Sequence, residues 1–214
     1  GLGDVYKRQA LDALTTGSSN TGLGRAALGS TTTGVSNTLM GAGSGDALSD
    51  ADFNVAVGRS ALGADTLGSR STALGYQALA TQNFTTATDS NNVAVGYHAG
   101  IAVTTGVENT IIGANSADAL TTGIRNTTLG LGALGSDTKG NRSTAIGYAA
   151  LGSDTQGNYS TAIGREALFS SNHGDSNTYN VAVGFKAGTS VTTGIKNTFI
   201  GGLAGDALTD ADAN

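Results

Sequence analysis

Two histidines, no cysteine and sixteen carboxylates limit the chemistry open to this chain of 214 residues. His98 and His173 are too few, and too differently surrounded, for a serine–histidine–aspartate triad or a histidine metal site, and they read as surface decoration. Without cysteine there is no zinc–thiolate site, thiol catalysis or disulfide. The acids recur in fixed frames: Asp46, Asp118 and Asp206 in one, Asp65, Asp137 and Asp154 in another. Aspartate bonds nearby backbone N–H groups, so both sets are expected in solvated turns. Leu48-Ser-Asp50-Ala-Asp52 and Leu208-Thr-Asp210-Ala-Asp212 pair acids as Ca²⁺ sites do, but match no known calcium loop. Gly41-Ala-Gly43-Ser-Gly45 is glycine-rich like a phosphate loop but lacks its lysine and helix. No acidic pair suits glycoside hydrolysis. The chain is therefore read as a non-enzyme with no cofactor and no metal.

What positions these residues is a repeat. The phrase Asn/Ser–Thr/Val–x–aliphatic–Gly ends at Gly24, Gly41, Gly58, Gly75, Gly96, Gly113, Gly130, Gly147, Gly164, Gly184 and Gly201. The intervals are 17 residues except for one of 21 and one of 20. Eleven coils follow in register from Asn20, and Asn214 opens a twelfth. Gly1 to Gln9 do not fit and are expected to be a non-native leader, leaving residues 10–214 as a single repeat domain, a fragment of a longer fibre. Composition agrees: 34 glycines, no proline or tryptophan, and only 13% charged residues suit neither a thick globular core nor a disordered chain. Collagen would need proline and glycine at every third residue. The net charge of −5, with no basic run, argues against nucleic-acid or anionic-membrane partners, and no apolar stretch is long enough for a membrane span.

Numbering each coil from its Asn/Ser, positions 1–4 read as a short β-branched strand, with an aliphatic residue always at position 4 and a glycine always at position 5. Position 3 is never charged, and is expected to offer a second buried surface to a partner chain. Coils with leucine at position 9 (Leu28, Leu62, Leu79, Leu134, Leu151, Leu168) carry a polar residue at position 12. Coils with Gly or Ala at position 9 carry Leu48, Val103, Leu120, Val191 or Leu208 there instead. One large plug per turn implies a constant narrow core. With glycine also frequent at position 15, the coil reads as two short strands and two glycine turns. The expected fold is all-β, a parallel β-solenoid of about eleven 17-residue coils. Glycine every few residues argues against helix.

Position 6 is the one aromatic column: Tyr76, Tyr97, Tyr148 and Phe185, interspersed with Arg25, Arg59 and Arg165. Tyrosine and arginine are favoured in recognition surfaces, so these are candidate receptor contacts; the plainer reading is stacking along the rod. The two enlarged coils, with insertions in Ala80–Asn91 and Phe169–Tyr179, add Phe84, His173 and Tyr179 as candidates, because loops on a rigid scaffold often carry function. A threonine row at position 13, broken by Ser49, Asn83 and Asn172, admits an ice-binding reading or a plain turn ladder.

Fixing 17 residues costs about 1–1.5 kcal/mol each, while two buried aliphatics return about 2–3 kcal/mol apiece, so a coil depends on its neighbours and an oligomer is expected. STAIG and NVAVG, followed by x-x-Ala and a glycine turn, resemble the head repeat of trimeric autotransporter adhesins of the YadA type, and also resemble bacteriophage tail-fibre repeats. The resemblance covers residues 10–214. It implies a left-handed β-roll, a homotrimer, exposure on the bacterial outer surface or a virion tail, and attachment to a host-surface protein, extracellular matrix or glycan. The 17-residue coil departs from the adhesin head, whose coil is shorter. The alternatives are a phage-fibre shaft with an enzymatic or chaperone-protease domain elsewhere in its chain, and an ice-binding solenoid.

Overall fold

The computed structural model describes residues 10–210 together with Asp212 and Ala213. The expected leader at residues 1–9 and the coil opened by Asn214 lie outside the described residues. The described chain is an all-β parallel solenoid of about eleven turns. Each turn contributes one three-residue strand at positions 2–4, from β1 (Thr21–Leu23) and β2 (Thr38–Met40) to the last, Thr198–Ile200, and the eleven form one sheet. Pairing is parallel and in register, Thr21 against Thr38 and Thr144 against Thr161, so each column of the repeat becomes a physical row along the rod. A second strand per coil does not form. The other half of the turn is irregular, apart from a two-residue pair, Gly68–Ser69 with Thr88–Asp89, beside the first enlarged coil, and a single parallel bridge, Asn158 with Asn177, beside the second. No helix occurs among the described residues.

The glycine at position 5 meets two demands at once. Its φ lies between +122° and +144°, beyond the left-handed helical region that other residues reach. A Cβ there would also come within 2.2–2.7 Å of the next coil's backbone in coils 1–10. Position 15 differs: glycines such as Gly34 and Gly106 have ordinary φ, but a Cβ would meet the next coil's carbonyl oxygen at 2.5 and 2.4 Å. The turns themselves are made at positions 7, 9 and 17, mostly by residues with side chains. Leu28, Leu62, Gln77, Arg70 and Tyr159 all hold φ between +52° and +63°. Such strain persists only where packing over-determines it.

An asparagine ladder locks the coils at position 1. Asn109 Oδ1 accepts the backbone N–H of Asn126 at 2.9 Å, and Asn109 Nδ2 donates to the Gly123 carbonyl at 2.9 Å. The same pair of bonds recurs at Asn37, Asn54, Asn92 and Asn126. Each asparagine therefore ties its own coil closed and the next one on.

The core inverts one expectation. Position 3 does not face a partner chain; Leu39, Ala56, Ala73, Ile111, Ala145 and Ala182 are fully buried inside the chain's own rod. Positions 2 and 4, alternating with it, point outward. The reason is volume. Where the plug sits at position 9, it and the alanine at position 8 (Ala27, Ala61, Ala133) fill the narrow interior, leaving room only for a small residue at position 3, such as Ala56, Ala73 or Ala145. The compensation between positions 9 and 12 holds, with Leu28, Leu62 and Leu151 on one side and Leu48, Val103 and Leu120 on the other all buried. It extends to position 3: Leu39 occupies the space over Gly45, and Ile111 reaches down over Gly100 of the preceding coil.

Candidate functional site

Position 4 runs along the outside of the sheet as an unbroken aliphatic row. Its end members Leu23 and Ile200 are 61% and 72% exposed, and Val57 and Leu129 in between are 38% and 46% exposed. Position 2, two residues back on the same face, is threonine or valine throughout, and Val55 there is exposed as well. The result is an uncharged strip, about 4.8 Å per rung and about 50 Å long.

The position 6 column flanks this strip, placed there by the turn at the position 5 glycine. Arg59 lies over the Tyr76 ring at 6.0 Å, and the Tyr76 and Tyr97 rings stack at 5.5 Å with 9° between planes. His98 closes this group against Tyr97 at 3.8 Å, and its Nε2 is 2.9 Å from Gln77 Oε1. Farther along, Arg165 is sandwiched between Tyr148 at 5.5 Å and Phe185 at 5.8 Å, with Lys186 at 5.6 Å from the Phe185 ring. Glu166 bridges Arg165 at 3.0 Å and Lys186 at 3.3 Å. Desolvation raises the Glu166 pKa, but hydrogen bonds from Lys186 and Arg165 outweigh it and hold the carboxyl below its usual range. Ala114 and Leu131 separate these two ladders, and Ala42 separates Arg25 from Arg59. Arg25 makes no ring contact or ion pair among the described residues. The structure thus gathers Arg59, Tyr76 and Tyr97, and separately Tyr148, Arg165 and Phe185; the tyrosines and Phe185 remain 38–52% exposed.

The enlarged-coil candidates do not join them. Phe84 is only 6% exposed and packs over Gly68, so it fills the core rather than facing outward. His173 holds the equivalent position 14 in the other enlarged coil, where Nε2 donates to the Gly194 carbonyl at 2.7 Å and Nδ1 lies 3.0 Å from Ser171 Oγ. Tyr179 belongs to a different ladder, stacked on Tyr159 at 5.2 Å, with Arg142 at 5.4 Å from the Tyr159 ring. That ladder, at position 17 and including Phe53 with Arg70 and Glu108 with Arg125, escaped the sequence reading. Its signal was large side chains recurring just before most of the Asn/Ser positions, from Phe53 to Lys196.

One further reading changes. Asp65, Asp137 and Asp154 are turn residues that accept N–H groups three residues on, yet they are fully buried, not solvated. The acids of the paired stretches are engaged within the protein: Asp50 accepts from Thr33 Oγ1, and Asp52 from the Val35 N–H at 2.7 Å. The position 13 hydroxyls bond to the next coil along the rod, Thr121 Oγ1 donating to the Thr138 carbonyl at 2.7 Å, in the manner of a turn ladder. Among the described residues there is no cluster of metal-binding side chains and no pocket. No helix among them is long and apolar enough to cross a membrane. No family model, curated protein or solved structure matches this chain.

Proposed function

We propose that this chain is a segment of an attachment fibre: a rod that associates with copies of itself through the outward rows at positions 2 and 4, and presents its aromatic–arginine ladders to a host surface. The observation that carries the reading is the aliphatic row. A strip of eleven uncharged rungs is larger than the scattered apolar side chains of an ordinary surface, and such a patch marks an association site. The occupant is a second copy because the strip repeats at the coil spacing and so fits its own translation along the rod. Three copies side by side, the arrangement implied by the resemblance to YadA-type heads, would enclose it.

The ladders serve the attachment itself. Tyrosine and arginine concentrate binding energy, and side chains already stacked on one another lose little freedom when a partner arrives. The chemistry suits a glycan or a protein surface, on a bacterial exterior or a virion tail fibre.

The test is retention of the purified rod on immobilised glycans and extracellular-matrix proteins, compared with a Tyr97→Ala/Arg165→Ala variant of unchanged circular dichroism. Retention by the wild type and its loss in the variant supports the reading. Equal retention by both, or thermal hysteresis of ice growth without any retention, refutes it.

A further inference from the structure

The buried column at position 12 holds an unresolved charge. In coils 3 and 4 the column is balanced: Asp65 Oδ2 receives the Gln82 Nε2 donor at 2.6 Å, and Oδ1 receives the N–H groups of Gly68 at 3.0 Å and Phe84 at 3.3 Å. In coils 7 and 8 two carboxyls, Asp137 and Asp154, stack in the same column, both fully buried. Asp137 Oδ1 accepts the N–H groups of Lys139 at 2.9 Å and Gly140 at 2.6 Å, and Asp154 Oδ1 accepts that of Gly157 at 3.0 Å. The second oxygen of each, Asp137 Oδ2 and Asp154 Oδ2, has no hydrogen-bond partner. Two buried anions about one coil spacing apart, each with a bare oxygen, are doubly costly.

We propose that Asp137 and Asp154 hold one proton in common, so that coils 7 and 8 form a clasp that is tight in acid and loosens as the pH rises. The protonated carboxyl supplies the donor that Gln82 supplies to Asp65. The proton then plays the part of an amide hydrogen, and only one negative charge stays in the core.

The surroundings favour this state. Burial, and then the neighbouring Asp154, push the Asp137 carboxyl up to about 7; burial also raises Asp154, against its backbone hydrogen bonds and the attraction of His173. Below the pair the column continues with the apolar Leu120, and above it with Ser171, which is bonded to His173. Lys139 approaches through its backbone N–H. Because the folded-state values lie above those of the unfolded chain, this contribution is complete below about pH 4, falls as the pH rises through about 7, and then levels off. The inference is independent of the attachment reading.

The experiment is carboxyl-carbon NMR titration of the whole chain, paired with thermal unfolding at pH 5.5 and pH 8. The expected result is an Asp137–Asp154 pair whose titration extends to about pH 7, with a melting temperature about 4–8 °C lower at pH 8 than at pH 5.5. Asp154→Asn, which places a permanent donor beside Asp137, should remove that difference and melt no lower than the wild type at pH 8. Both carboxyls titrating below pH 5, or an Asp154→Asn protein less stable than wild type at pH 8, overturns the proposal. If the variant does not fold, the wild-type titration decides.

Discussion

Replacing Gly113 by alanine tests the coil geometry at its least forgiving point. Gly113 has φ +131°, and a Cβ there would lie 2.4 Å from the Gly130 oxygen and 2.7 Å from the Gly130 carbonyl carbon. Gly130 N–H donates to the Ile112 carbonyl at 2.8 Å, so the collision falls on the ladder joining coils 6 and 7. Backbone strain of this kind costs about 1–3 kcal/mol, and overpacking against atoms that cannot rotate away adds about 1–3 kcal/mol more. The expected loss is therefore about 2–6 kcal/mol. Gly132, in the next coil, is the control. Its φ is +63°, nothing lies within 4 Å of its Cβ position, and Ala26 and Ala149 hold the same position of their coils at φ +57° and +52°. Gly132→Ala should change stability by no more than about 1 kcal/mol, since loss of unfolded-state freedom offsets the left-handed penalty. Urea unfolding followed by circular dichroism gives both values. A loss below 1 kcal/mol for Gly113→Ala, or equal losses for the two variants, refutes the close-approach argument.

Other substitutions probe the ladder and the core. Asn109→Ala leaves the Asn126 N–H and the Gly123 carbonyl without their partner, and should cost about 2–5 kcal/mol in urea unfolding. Asn109→Ser should cost less, because Ser71, Ser143 and Ser160 hold that position in other coils. Leu151→Ala empties the only large plug of coil 8 and should lose about 3–5 kcal/mol, with backbone amide exchange accelerated most in coils 7–9. Arg125→Ala breaks an exposed pair with Glu108 and should shift the same unfolding curve by less than about 1 kcal/mol.

Much of the fold was legible because seventeen-residue periodicity forces equivalent residues into rows, and strand register then follows from Thr21 and Thr38 alone. The two faces of the strand were harder to tell apart. Position 4 is uniformly aliphatic yet forms the outer face, because a leucine plug at position 9 leaves interior volume only for small residues such as Ala56 and Ala73 at position 3. Leu39 and Ile111 enter only where position 9 of their own coil is Gly or Ala. The burial of Asp65, Asp137 and Asp154 was implicit, because they occupy the position that Leu48 and Val103 fill in other coils. Turn propensity pointed the other way, and packing prevailed. Stacking of Tyr76 on Tyr97 follows directly from the repeat, whereas the inward placement of Phe84 and His173 does not, because the enlarged coils interrupt the register that would have placed them.

Self-association through the outward aliphatic row is the central claim, and molar mass in solution measures it directly. Light scattering across a range of concentrations should give a multiple of the 21.0 kDa protomer for the wild type, three copies by the resemblance to adhesin heads. A Val57→Asp/Leu129→Asp variant, altered only on the outer face, should keep the wild-type circular dichroism and fall to the protomer mass. A wild-type protein that stays at 21.0 kDa at every concentration, with the aliphatic row open to solvent, would contradict the account.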